Sequence, residues 1–165
     1  MKAKDVLWSW DFILALVLTI ATWLMLPHWV QNEFAHDLYG IGISVLSIVF
    51  AVFFAALAII ISSSDDDFVR YLEKDGDYTK IVATFQFSLA TLFLALIYSL
   101  IMYAFTSAWL SRKFQSQPYW WLVIFGFLFS YGLFAALNST FDSIQYAKYR
   151  VRYLIAPEKD AHRKQ

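Results

Sequence analysis

A chain of 165 residues that is 60% hydrophobic, 20% aromatic and only 16% charged has too little polar surface to cover a soluble fold, because soluble domains average about 45–50% apolar and about 25% charged. The absence of cysteine excludes disulfides, thiolate chemistry and haem attachment through cysteine. The 13 basic and 13 acidic residues are balanced but unevenly placed.

Asp, Glu, Lys and Arg are missing from four runs, 12–32, 38–64, 81–111 and 114–141, which are 21, 27, 31 and 28 residues long. Crossing a hydrocarbon core of about 30 Å takes about 20 apolar helical residues. The expected fold is therefore all-α and polytopic. Four transmembrane helices form an antiparallel bundle, with a short cytoplasmic amphipathic helix between helices 2 and 3. The spans are expected near 11–30, 39–62, 81–107 and 119–141, in one domain over 1–156, with a polar tail over 157–165.

The first run follows "MKAKDVLWSWD". Asp5 and Asp11 interrupt its approach, it is as long as a span, and no A-x-A site follows, so it reads as a retained helix rather than a signal peptide. Pro27 falls near its far end, where a lost backbone bond does least harm. The second run carries a small-residue stripe at helical steps of three and four: Gly40, Ser44, Ser47, Ala51, Ala55, Ala58 and Ser62.

That run ends in "SSSDDDF". An Asp at the bilayer centre costs about 2.5–3.5 kcal/mol, while a Leu, Ile or Phe returns only about 0.3–0.6. Asp65, Asp66 and Asp67 must therefore lie in water or headgroups. Ser64 as an N-cap would place all three in the first turn of a new helix, where the dipole favours them. Gly76 supplies the turn into the third span. The six carboxylates of 65–77 do not match an EF-hand loop, and a capped, solvated turn is the better account.

The third run has a stripe with the same spacing: Thr84, Ser88, Thr91, Ala95, Ser99, Met102 and Thr106. The fourth adds Gly132, Ala136, Ser139 and Ser143. Lipid gives helices no hydrophobic reason to associate, so small residues that admit close backbones mark packing faces. The stripes of spans 2 and 3 are expected to meet in a hairpin, or else to mark a self-association face.

Beyond the fourth run, 141–156 continues amphipathically. Lys148, Arg150 and Arg152 sit away from Ile144, Val151 and Leu154, which suits the inner membrane surface or the acidic loop 65–80. These bases are too few and too mixed with acids to suggest nucleic acid. Four spans place eleven Lys and Arg on the side of the termini and two on the other. Both termini are then cytoplasmic, in a bacterial inner membrane.

No span holds an ionisable residue at its centre, which argues against ion-coupled transport. A polar cluster is expected at the cytoplasmic leaflet from Asp11, Gln86, Asn138 and Asp142. Glu33 and His36 form a single E-x-x-H pair, too little for a di-metal bundle. Hydrolase and nucleotide motifs are absent, and no cofactor is expected. The residues point to a non-enzymatic membrane protein that works through helix packing and assembly. Its partners are the bilayer and either further copies of itself or another membrane or cytoplasmic protein. One alternative is a channel or transporter subunit lined by the Thr/Ser stripe of span 3. A second is an intramembrane enzyme with a site near Asp11 and Asp142.

Overall fold

The computed structural model describes residues 10–62, 69, 70, 73 and 76–162. They form helices α1 (Trp10–Met25), α2 (Asn32–Ser62), α3 (Asp77–Ser111) and α4 (Trp120–His162), with two short strands, β1 (Trp29–Gln31) and β2 (Ser116–Pro118). Three of the helices are long and apolar enough to cross a membrane, over Asn32–Ala58, Tyr78–Ser111 and Trp120–Lys148. The helix α1 is apolar but short, with 16 residues, or about 24 Å at 1.5 Å per residue.

The boundaries differ from expectation for identifiable reasons. Span 1 was expected to reach residue 30, but α1 stops at Met25. Pro27 disfavours helical geometry in the residue before it and offers no N–H. The residues that follow pair in a strand ladder instead, with Trp29 opposite Pro118, Val30 opposite Gln117 and Gln31 opposite Ser116. The helix α2 begins at Asn32, so Glu33 and Asp37 are helical rather than loop residues, and Glu33 lies in the first turn, where the dipole favours it. At the other extreme α4 continues without a break to His162, so most of the segment expected as a polar tail is helical.

The acidic turn Asp65, Asp66 and Asp67 lies outside the described residues. Beside it, Val69, Arg70 and Glu73 are helical. Gly76 takes φ 72° at the start of α3, a left-handed turn that glycine adopts without penalty. The Glu73 carboxylate accepts from Thr79 N and Thr79 Oγ1 at 3.2 and 2.7 Å, which satisfies an N–H in the first turn of α3.

Contacts between neighbouring helices descend along one as they ascend along the other. On α2 and α3, Gly40 faces Tyr103, Phe50 faces Phe93, and Phe53 stacks on Phe85 at 4.8 Å. On α3 and α4, Ser88 meets Ser139, Leu92 and Ala95 approach Gly132, and Tyr98 Oη donates to Trp121 O. On α1 and α4, Asp11 meets Asn138, Phe12 packs edge-on to Tyr131, and Trp23 Nε1 donates to Tyr119 Oη. The packing order is thus α1–α4–α3–α2, and α2 also touches α4, as where Tyr39 and Gly42 meet Phe125.

Two apolar clusters fill the interior. One, at the ladder end, holds Val30, Ala35, Tyr39, Met102, Leu122 and Phe125. The other runs from Leu46 through Phe53, Leu57, Phe85 and Leu92 to Tyr146. Outside them every helix exposes large apolar side chains, among them Val17 and Leu24 on α1, Ile48 and Val52 on α2, Leu94 and Phe105 on α3, and Leu137 and Phe141 on α4. Apolar exposure on all sides is what a helix assembly surrounded by lipid presents, and far exceeds the patch of a few hundred Å² usual on a soluble monomer.

Candidate functional sites

Three places on the molecule carry the residues singled out in the sequence. The first is the contact between α3 and α4. Ser88, Thr91, Ala95, Ser99, Met102 and Thr106 are buried in a row along α3, while Thr84 is half-buried. On α4, Ser139 meets Ser88 and Gly132 meets Leu92 and Ala95, and Gly132, Ala136 and Ser139 are buried. Ser88 Oγ and Ser139 Oγ lie 2.6 Å apart, and Ser88 Oγ also donates to Ala135 O at 3.2 Å. A Cβ on Gly132 would stand 3.7 Å from the Leu92 Cα, so the two backbones come as close as small residues permit. Thr91 and Ser99 donate back to Phe87 O and Ala95 O, and so spend their hydroxyls on their own helix.

The second is the outer face of α2. Ser44, Ala51, Ala55 and Ala58 are exposed, and Gly40 and Ser47 half-buried; nothing is described of the Ser62 side chain. The α2–α3 hairpin forms and Gly40 of this stripe approaches Tyr103 of α3, but Ser44, Ala51, Ala55 and Ala58 do not line the contact. The buried face of α2 is instead Ala35, Tyr39, Gly42, Leu46, Phe53 and Leu57, centred roughly 150° around the helix from the stripe at about 100° per residue. Aromatic rings explain the choice. Phe53 stacks on Phe85, and Phe125 fills the notch at Gly42, where an added Cβ would lie 2.5 Å from its Cζ.

The third is the end of the molecule opposite the ladder. Asn138 Nδ2 approaches Asp11 Oδ2 at 3.4 Å, a long hydrogen bond joining α1 to α4. Asp142 is half-buried one turn further on, within electrostatic reach of Lys80 and of Asp11. Gln86, expected in the same cluster, is exposed, with no side-chain bond among the described residues. Lys148 is exposed on α4, and Arg150 and Arg152 follow on the same helix.

Sequence reasoning missed the ladder end. There Asn32 and Gln117 are fully buried beside Tyr39 and Thr106. Asn32 Nδ2 donates to Phe114 O at 2.8 Å and Asn32 N to Gln115 O at 2.9 Å, which clamps the start of α2 to the segment after α3. Both residues sit in short polar stretches without alternation or a turn motif, so nothing local marks them as buried. His36 stacks on Tyr103 at 4.1 Å and lies 3.6 Å from Asp37. Among the described residues no three of His, Asp and Glu gather where a metal ion would be held.

A scan against protein-family models, a search of curated proteins and a search of solved structures each found no match.

Proposed function

We propose that the chain is a multi-pass protein of a bacterial inner membrane that acts by assembly rather than catalysis, with α2 as the face that meets another copy. The observation that carries this reading is an asymmetry between two similar stripes. The small residues of α3 are buried inside the chain, with Ser88 and Ala95 against α4, whereas Ser44, Ala51, Ala55 and Ala58 of α2 remain exposed at helical spacing. Such a face lets a second helix approach closely in lipid.

In this reading α1 is a fourth span, completing an antiparallel bundle. Its helix covers about 24 Å; the residues up to the ladder make up the remaining depth. The ladder end is external and both termini are cytoplasmic, as the excess of Lys and Arg on the terminal side favours. The unbroken α4 then carries Lys148, Arg150 and Arg152 away from the bundle into the cytoplasm, where they and the acidic loop are the natural receivers of a signal or partner.

A channel lined by the hydroxyls of α3 has less support, because Ser88, Thr91 and Ser99 are buried and already bonded, Ser88 to α4 and the other two to their own helix. An enzyme at Asp11 and Asp142 has one favouring observation, their shared neighbourhood with Lys80. Loss of an activity in Asp142→Asn with an intact fold would support that second reading. The assembly reading is tested by the native mass of wild type and Ala55→Leu in a lipid nanodisc. A multimer reduced to monomer by the substitution supports it, and a wild-type monomer refutes it.

A further inference from the structure

Three polar atoms at the ladder end lack a partner although their side chains are fully buried: Asn32 Oδ1, Tyr39 Oη and Gln117 Nε2. They come from one neighbourhood. Gln117 pairs with Val30 across the ladder and shares its inward face, and Asn32 follows Val30 by two. Tyr39 lies seven residues after Asn32, on the same face of α2. A helical side chain leans towards the N-terminus, so the Tyr39 ring reaches back over Ala35, which is small and fully buried. Its hydroxyl is within electrostatic hydrogen-bonding reach of the Gln117 side chain, but the two do not meet in a well-formed bond. Gln117 Oε1 is 3.5 Å from Thr106 Oγ1, at the limit of a hydrogen bond.

Buried polar atoms in folded proteins are almost always partnered, by protein or by ordered water. The three are chemically complementary to a single small molecule. The Gln117 amide nitrogen only donates, the Asn32 amide oxygen only accepts, and the Tyr39 phenol does either. A water accepts from Gln117, donates to Asn32 and exchanges a bond with Tyr39. That is three bonds, about the number a buried water usually makes. A metal cation does not suit the pocket, because the amide N–H of Gln117 would point at it.

We propose that this pocket is an internal hydration site, in which one ordered water joins Asn32, Tyr39 and Gln117. It ties the ladder to α2, while Thr106 extends the network to α3. A cleft of about 580 Å³ lies next to it, lined by Gln31, Glu33, Lys113, Phe114, Gln115 and Ser116. Gln31 and Glu33 flank Asn32 in sequence, and Phe114 is its bonding partner. The competing arrangement has the Gln117 amide turned over, its oxygen accepting from Tyr39 and its nitrogen donating to Thr106.

Radiolytic hydroxyl-radical footprinting of the full chain in nanodiscs tests this, because radicals formed from a bound water label the side chains around it. After correction for intrinsic reactivity, Tyr39 is expected to be labelled several-fold faster than Phe85, which is as deeply buried but in apolar surroundings. The rate at Tyr39 should fall to that of Phe85 in Gln117→Met. Equal rates at Tyr39 and Phe85 in the wild type would overturn the proposal. Should Gln117→Met fail to fold, a high-resolution density map of the wild type decides. A peak within hydrogen-bond distance of Tyr39 Oη and Gln117 supports the site, and a direct Tyr39–Gln117 bond with no peak refutes it.

Discussion

Ser88 and Ser139 share a 2.6 Å hydrogen bond inside the contact of α3 and α4. Ser88 also reaches Ala135 O, so removing the Ser139 hydroxyl leaves it a partner. A double-mutant cycle on Ser88→Ala and Ser139→Ala, read by unfolding in detergent, should give a coupling of about 0.6 kcal/mol, the average for polar pairs in membrane helices. Ser88→Leu should cost more than either alanine, because it wedges the helices apart rather than removing a bond.

Two glycines of α2 should answer oppositely to substitution. A Cβ on Gly42 would lie 2.5 Å from Phe125 Cζ, and Phe125 is itself held by Tyr39 edge-on at 5.1 Å. Gly42→Ala should therefore destabilise by about 1–3 kcal/mol, as overpacking of a core does. At Gly40 the nearest atom would be Tyr103 Cε2 at 3.4 Å, an ordinary contact. Gly40→Ala should be neutral or stabilise by up to about 1 kcal/mol, the propensity gain of alanine over glycine in a helix. Thermal unfolding of the two variants side by side checks the difference.

Lys113 ends α3 with φ 63°, where a glycine is usual. Lys113 N bonds Leu110 O and Phe114 N bonds Trp109 O, the paired bonds of a Schellman motif. A left-handed non-glycine residue costs roughly 1–2 kcal/mol. Lys113→Gly should raise stability by about 1 kcal/mol, offset in part by the added freedom of the unfolded chain. A lowered melting temperature would show that the lysine side chain contributes more than its backbone costs.

Asn32 holds both Phe114 O and Gln115 O. Asn32→Ala should cost about 1 kcal/mol by removing the bond to Phe114 O. Asn32→Asp should cost more, since it both loses the donor and buries a charge. Hydrogen exchange at Val30 and Gln31 should accelerate in both variants, reporting a loosened ladder.

Much of the fold can be read in the residues because solvent chemistry decides it. Runs without charge became helices, and Gly76 became the left-handed turn that opens α3. Helix ends were harder, since they are set by particular partners rather than by hydropathy. Pro27 was visible, but the ladder that takes over at Trp29 has three residues on each side and no alternation to announce it. The stripe of α2 misled because residue size alone does not choose a neighbour. Phe53 stacks on Phe85 and Phe125 fills the notch at Gly42, so that face turned inward. On α3 and α4 small residues did coincide with the contact, through Ser88, Ala95 and Gly132. The buried amides of Asn32 and Gln117 could not be read at all, because their burial depends on two loops distant in sequence meeting at one end.

The central claim is that α2 offers its outward small-residue face to another copy while its inner face builds the monomer. Native mass spectrometry from lipid nanodiscs, paired with thermal unfolding, separates the two faces in the double variant Ala51→Leu, Ala55→Leu. Both positions are exposed, so the expected result is a fall from multimer to a folded monomer, with the unfolding temperature lowered only by the lost association. A wild-type chain that is already monomeric, or a variant that keeps the multimer intact, would contradict it.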